Sequence, residues 1–415
     1  MVDNPLNILA LKRFAAEHME ETYAPECSPA TGKKVAVIGG GPAGLSCAYY
    51  LATMGHSVKI FEARKHLGGM LRYGIPNYRL PRERLQSEID WLLSAGIEVE
   101  LEHPVLGEEL QELRKTYDSV FVGIGAHTDK KLGLEGEDLN GVESAVKLLR
   151  AVGDYDIPDL SGQEIVVIGG GNVAMDVART SVRLGAKKVS IVYRRRVTDM
   201  TAQDAEIAGA QAEGCEILEL TSPLSIVSDG AGNVSGLLVQ PQIIGAPKWG
   251  RPAPRASQEE TRVVPCDKVF VAIGQDIEYQ SFEAIGIPVQ KNRIVTASDG
   301  SIEGFPGVFS GGDCKSGPST VIKAIEAGKV AAANIDRSLG CDHKVTLNVE
   351  LPSLKIKGLR QCGRCEERES SERVHDWNLV EIGLTEEEAH QEAARCLRCD
   401  HFGYGAFRGG RNHQW

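Results

Sequence analysis

Two glycine-rich turns, Gly39-Gly-Gly41-Pro-Ala-Gly44 and Gly169-Gly-Gly171-Asn-Val-Ala174, stand 130 residues apart in this chain. Turns of this spacing let the backbone approach a pyrophosphate, whose charge is met by the N–H groups and positive end of a following helix. A lone match to the pattern carries little weight. Here each is preceded by a short β-branched run, residues 35–38 and 165–168, and followed by an Ala-rich helical stretch. Both helical stretches stop at a glycine at the same offset, Gly55 and Gly185, which suits the left-handed position just past a helix end.

The strand after each turn ends in opposite chemistry. In the first unit it ends in Glu62, 23 residues past Gly39, where a carboxylate can accept from ribose hydroxyls and would repel a 2′-phosphate. In the second, Tyr193 takes that position and Arg194, Arg195 and Arg196 follow. Guanidinium groups grip phosphate oxygens in pairs. The chain is therefore expected to hold two dinucleotides, and the second unit to prefer NADP(H) to NAD(H).

The other chemistry-bearing residues lie near the C-terminus, Cys362-Gly-Arg-Cys365 and Cys396-Leu-Arg-Cys399, with 30 residues between the pairs. Thiolates two apart can converge on one ion or cluster, so Cys362, Cys365, Cys396 and Cys399 form a candidate metal site. The spacer is longer than in zinc ribbons, and zinc and an iron–sulfur cluster both stay open on spacing alone. Leu384-Thr-Glu-Glu-Glu-Ala389 predicts a staple and capping box, with Thr385 as N-cap and Glu388 at N3, opening a helix that delivers the second pair. Cys27, Cys47, Cys215, Cys266, Cys314 and Cys341 are isolated. A redox pair close in sequence is thus missing before the tail, which speaks against a disulfide substrate.

At 415 residues the chain can bury several cores, and the net charge of −11 argues against nucleic-acid binding. No run approaches the length of a membrane-spanning helix, so the expectation is a soluble, cytoplasmic protein. Strand–helix alternation implies α/β folding with parallel sheets. The expected organisation is a leader helix and linker over 1–32, a first nucleotide domain over 33–140, a second inserted over 141–285, a return to the first over 286–340, and a cysteine-rich tail over 341–415. Residues 221–265 predict a strand meander with a Pro-rich loop.

Leu11-Lys-Arg-Phe14, residues 35–45, Gly68-Gly-Met-Leu-Arg-Tyr-Gly-Ile-Pro76 with Tyr78-Arg-Leu-Pro81, Tyr193-Arg-Arg195 and Gly311-Gly-Asp-Cys314 together resemble the two-dinucleotide-domain flavoproteins. More narrowly, they resemble the small (beta) subunit of NADPH-dependent glutamate synthase and its relatives. The resemblance implies two Rossmann-like domains, with FAD in the first. Gly39, Gly41 and Ala43 would then lie on the pyrophosphate, Glu62 on the ribose, Gly69 and Leu71 toward the flavin, and Val105 against adenine. Asp313 would accept from the ribityl chain, while the helix opening at Thr320-Val321 would face the flavin's pyrimidine edge, its positive end suiting negative charge there. NADP(H) would lie on Gly169, Gly171, Asn172 and Val173, with Arg194 and Arg195 on the 2′-phosphate. Pro42, Gly125 and Gly274 complete the cofactor-binding set. Relatives commonly carry Thr where Val173 stands.

The implied reaction is hydride exchange between NADP(H) and FAD, which needs no acid, base or nucleophile, so no catalytic side chain is assigned. The segment Ala394-Arg-Cys-Leu-Arg-Cys399 resembles cluster-ligating segments of these relatives and favours a 4Fe-4S cluster over zinc. Glutamate synthase small subunits carry a cysteine-rich iron–sulfur region ahead of the first nucleotide fold, where this chain has only Cys27. The expectation is therefore an oxidoreductase subunit with iron–sulfur partner subunits, in a glutamate synthase-like, transhydrogenase or bifurcating complex. A stand-alone NADPH dehydrogenase with a small-molecule acceptor, and a non-catalytic nucleotide-binding scaffold with structural zinc, are the alternatives.

Overall fold

The computed structural model describes residues 5–19, 24–248, 251–344, 363 and 365–396. The β-branched run before the first glycine turn forms the strand Lys34–Ile38, buried on both faces from Val35 onward, as a parallel strand covered by helices must be. It pairs in parallel with Ser57–Phe61 on one side and Ser119–Val122 on the other. The sheet has six strands. Glu98–Glu100 lies at one edge, while Phe305–Ser310 and Ser301–Ile302 extend it beyond Ser119–Val122 from far along the chain. A second, five-stranded parallel sheet is built from Val142–Ser144, Lys268–Val271, Glu164–Ile168, Lys188–Val192 and Glu216–Leu218. One nucleotide unit is thus inserted in the other, the expected α/β class.

Each first strand feeds a helix, Pro42–Thr53 and Asn172–Arg183. Gly55 and Gly185, just past their ends, both have φ of 88°, the left-handed region open to glycine. The helix Val321–Ser338 lies against Pro42–Thr53 so closely that a Cβ on Gly328 would sit 2.2 Å from the Ala43 carbonyl oxygen.

Two expectations need correction. The Pro-rich stretch is not a loop: Arg251–Ala256 is a strand paired antiparallel with Val234–Lys248. Its position at a sheet edge explains why Pro252 and Pro254 are tolerated, since an edge strand need not donate from every residue. The return to the first unit comes earlier than residue 286. Ile277 and Phe282 already lie in the core that contains Leu110, Val120 and Val308.

The two units are joined by a buried ionic hub. Arg79, from the first unit, donates from Nη1 to both carboxylate oxygens of Asp176 at 2.8 Å and pairs through Nε with Glu206, both of the second. Behind it, fully buried Glu213 is shared by Arg179, Arg183 and Arg373 at 2.6–2.9 Å. Arg183 also stacks on the Tyr78 ring, 3.9 Å from its centroid. Arg373 belongs to the tail, so the tail segment is locked into the same junction. The leader helix Ile8–Glu17 packs on the tail helix Glu386–Ala393, with Ala10, Leu384 and Ala389 buried between them.

Candidate nucleotide clefts and tail centre

The carboxyl ends of the two sheets open into two clefts, the position where open parallel sheets bind ligands. The second cleft encloses about 720 Å³ and is lined by Gly169, Gly171, Asn172, Val173, Arg194, Arg195 and Gly274. All seven residues assigned there from sequence therefore share one wall system. Gly169 has a φ of 154°, and a Cβ on it would lie 2.3 Å from the Ala272 carbonyl oxygen, so no larger residue could make this turn. A Cβ on Gly171 would instead meet nothing closer than the Thr201 hydroxyl at 3.5 Å. That open Cα face is the cradle that a phosphate would fill.

The three arginines differ in environment. Arg196 pairs with Asp199 at 2.9 Å and, unlike Arg194 and Arg195, is not among the residues that line the cleft. Arg195 is half-buried and donates through Nε to the Pro252 carbonyl at 2.8 Å. Arg194 is exposed at the cleft mouth. Tyr193 covers Gly170, and its hydroxyl donates to the Asp199 carbonyl at 2.8 Å. Sequence reasoning missed Thr201, Pro318, Ser319 and Asp129, which also line this cleft. Burial pushes the Asp129 carboxyl up to about 6, against the Val146 N–H and the charge of Arg150.

The first cleft, of about 400 Å³, is lined by Gly39, Gly41, Glu62 and Val105, with Arg64, His103 and His127 beside them. Glu62 accepts from the backbone N–H of Gly40 at 2.7 Å and of Arg64 at 2.9 Å, which aims the carboxylate across the turn. Burial outweighs these contacts and holds its carboxyl above the usual range. Burial, aided by Arg64 and Arg150, pushes His127 down to about 4, so its imidazole is neutral at physiological pH. Neither Arg64 nor His127 had a sequence signal beyond standing near a strand end.

Pro42, Ala43, Gly69, Leu71, Gly125, Asp313, Thr320 and Val321 are not among the residues that line this cleft, although Gly69 and Gly312 approach its glycine turn closely. Pro42 opens the helix, where its missing N–H costs nothing. Gly69, with φ of 52°, would place a Cβ 2.7 Å from the Gly41 Cα, so the two backbones touch. Leu71 packs on the first core. Gly312 would place a Cβ 2.8 Å from that of Ala43, which brings Asp313 back to the phosphate turn. Burial raises the Asp313 carboxyl against a hydrogen bond from the Ser319 backbone. Thr320 is the N-cap of Val321–Ser338, and Gly125, with φ of 68°, sits beside the His127 ring.

In the tail, Cys365 and Cys396 are described, whereas Cys362 and Cys399 lie outside the described residues. The two cysteine segments meet at Glu392. Its carboxylate accepts from Gly363 N at 2.7 Å, from Asn7 N at 2.7 Å and from Arg395 at 2.5 Å. The capping box at Thr385 and Glu388 forms as its spacing predicts.

Residues 33–328 match the family model described as pyridine nucleotide-disulphide oxidoreductase. The chain belongs to that family. It is 36% identical, over 96% of its length, to NADP(+)-dependent formate dehydrogenase subunit beta of Moorella thermoacetica, of which it covers 62%. It is 34% identical over 96% of its length to NADPH-Fe(3+) oxidoreductase subunit beta of Geobacter sulfurreducens, covering 66% of that protein. The small chain of NADPH glutamate synthase of Escherichia coli K12 is 36% identical over 74% of this chain and is covered to 68%. The resemblance to FAD/NADP(H) oxidoreductase subunits therefore holds. The chain spans less than two thirds of the first two relatives. Among solved structures, Mycobacterium tuberculosis FprA in complex with NADPH shares the fold, with a TM-score of 0.63 at 22% identity, over 75% of this chain and 85% of that one. Among the described residues no helix is long and apolar enough to cross a membrane.

Proposed function

We propose that this chain is an FAD-dependent NADP(H) oxidoreductase subunit that exchanges a hydride between NADP(H) and FAD and trades electrons with iron–sulfur partner subunits. One observation carries this reading: two clefts of one fold present opposite selectors, Glu62 in one and Arg194 with Arg195 in the other. When bound, FAD supplies the N5 position that accepts or donates the hydride and allows two-electron chemistry to meet one-electron carriers. The chain's residues bind, orient and exclude water. Gly39, Gly41 and Ala43 cradle the flavin nucleotide's pyrophosphate, Glu62 holds its ribose, and Asp313 with the helix at Thr320 and Val321 holds the flavin end. Gly169, Gly171, Asn172 and Val173 cradle the nicotinamide nucleotide. Pro318 and Ser319, on the turn that leads into the flavin-side helix, line the NADP(H) cleft and bring the two sites together.

For the tail we propose a 4Fe-4S cluster on Cys362, Cys365, Cys396 and Cys399, with structural zinc as the rival. The meeting of both cysteine segments on Glu392 supports convergence on one centre. The relatives named as subunits support a multisubunit setting, and we place the protein in the cytoplasm, in keeping with the lack of disulfides among the described residues. An anaerobic titration tests the function: NADPH should bleach the flavin absorption of the purified full chain, and iron and sulfide should be present in equal amounts. A preparation that stays colourless after FAD is supplied contradicts the reading, and zinc in place of iron contradicts the cluster.

A further inference from the structure

At the end of the strand Ser57–Phe61 opposite to Glu62, four potential ligands meet. His56 precedes the strand Ser57–Phe61, whose other end carries Glu62. Asp336 lies in the last turns of Val321–Ser338, and Cys341 and His343 follow that helix at the point where the tail departs. One ligand atom from each of the four lies within 4.8 Å of all the others. Asp336 Oδ1 is 2.9 Å from His56 Nε2 and 2.8 Å from His343 Nδ1. The other carboxylate oxygen is held by the His343 backbone N–H at 2.8 Å, which fixes Oδ1 toward the centre. The two imidazole rings stand at 87° to each other, 6.1 Å between centroids, with both nitrogens turned to the same oxygen.

We propose that His56, Asp336, Cys341 and His343 form a closed zinc site. Two imidazoles, one thiolate and one carboxylate suit Zn²⁺ in ligand type and in number, and the two anions neutralise the dication. Zinc bond lengths of about 2.0–2.3 Å set tetrahedral ligand separations of roughly 3.3–3.7 Å. The oxygen–nitrogen pairs therefore open by about half an ångström on loading, which His343 can accommodate because its side chain is 29% exposed and lies outside regular structure. His56 and Asp336 form the buried half of the site, with side chains 0% and 1% exposed.

The outer contacts fit the same reading. His56 Nδ1 lies 2.7 Å from the Thr31 hydroxyl, and that hydroxyl reaches the Gly55 carbonyl at 3.2 Å. In the tautomer in which Thr31 donates to Gly55, it accepts the Nδ1 proton of His56. Nε2 then turns its lone pair on a carboxylate oxygen inside the protein. That lone pair is the one a cation at the centre would take, and a second contact orienting a metal-bound histidine is the usual arrangement. The site would tie the linker, the amino end of the strand Ser57–Phe61 and the start of the cysteine-rich tail into one unit. It is independent of the nucleotide assignments and of the tail centre.

The test uses the full chain, stripped with a chelator and then exposed to Zn²⁺, with iodoacetamide labelling of Cys341 read by peptide mass spectrometry. At zinc a hundred times the dissociation constant, labelling of Cys341 falls about a hundredfold by mass action. Elemental analysis then finds one zinc per chain fewer in the variant Cys341→Ser, His343→Ala, with FAD per chain unchanged as the check on folding. Labelling that is indifferent to zinc, or equal zinc in both proteins, overturns the proposal and leaves a hydrogen-bonded Asp–His cluster. The labelling experiment needs no variant, so a misfolded mutant does not decide the outcome.

Discussion

The choice between NADPH and NADH follows from the arginine pair and can be worked out residue by residue. Arg195 is half-buried and pinned by the Pro252 carbonyl, so little side-chain freedom remains to be lost when it meets a phosphate. A hydrogen bond to a charged group in such a setting is worth about 1.5–3 kcal/mol. Arg195→Ala should therefore lower kcat/KM for NADPH by roughly 10- to 150-fold, with NADH almost unaffected. Arg194 is exposed, and screening limits an exposed pair to about 1 kcal/mol, a fivefold effect at most. The double variant should lose at least as much as Arg195→Ala alone. Arg195→Lys keeps the charge but loses the planar fork, and should fall between. Stopped-flow reduction of the bound flavin by each coenzyme measures all of these values, with flavin content per chain confirming intact folding. Equal losses for NADPH and NADH in the double variant would show that the arginines serve the cleft's shape and not the 2′-phosphate.

Four further outcomes are expected. Asp129, with its carboxyl pushed up to about 6, is neutral below that pH and an anion above it. Its charge should weaken NADPH binding as pH rises through 6, and the folded state should lose stability between 3.8 and about 6. The coenzyme phosphate titrates in the same range, so the difference between wild type and Asp129→Asn isolates the effect, and identical pH profiles would count against it. Gly44→Ala places a Cβ 1.8 Å from the Gly39 carbonyl oxygen and should abolish FAD retention on a desalting column; full retention would show that the turn relaxes. Glu213→Ala leaves Arg179, Arg183 and Arg373 buried without their shared anion, a loss of about 3–5 kcal/mol, and an unchanged thermal midpoint would show that the hub does not hold the units together. Glu392→Ala releases the Gly363 N–H and Asn7 N–H and should lower tail metal per chain without changing FAD, whereas unchanged metal would place the centre elsewhere.

The clefts were legible in the sequence because their chemistry is local. A glycine turn, its flanking strand and the residue ending the next strand lie within about two dozen positions, and each is restricted to few residue types by φ, by close approach or by charge. The capping box at Thr385 was readable for the same reason. What could not be read depends on which partner the fold supplies. Arg196 looks like its two neighbours until Asp199 folds back on it. Pro252 and Pro254 read as a loop because nothing local shows that their strand lies at an edge. Phe282 joins the first core although it follows the second unit's last strand, because the chain crosses back just after that strand. Glu213, Glu392 and Asp336 carry no motif at all. Each is met by at least one residue tens to hundreds of positions away, which burial brings close and charge pairing then requires.

One chain is expected to hold two different dinucleotides at once. The most direct measurement is to saturate the full chain with FAD, add NADP⁺, separate protein from free nucleotide by rapid gel filtration or equilibrium dialysis, and count both nucleotides per chain. One FAD and one NADP⁺ bound together, neither displacing the other, is the predicted result. Displacement of FAD by NADP⁺, or loss of FAD but not NADP⁺ on replacing Arg194 and Arg195, would contradict it.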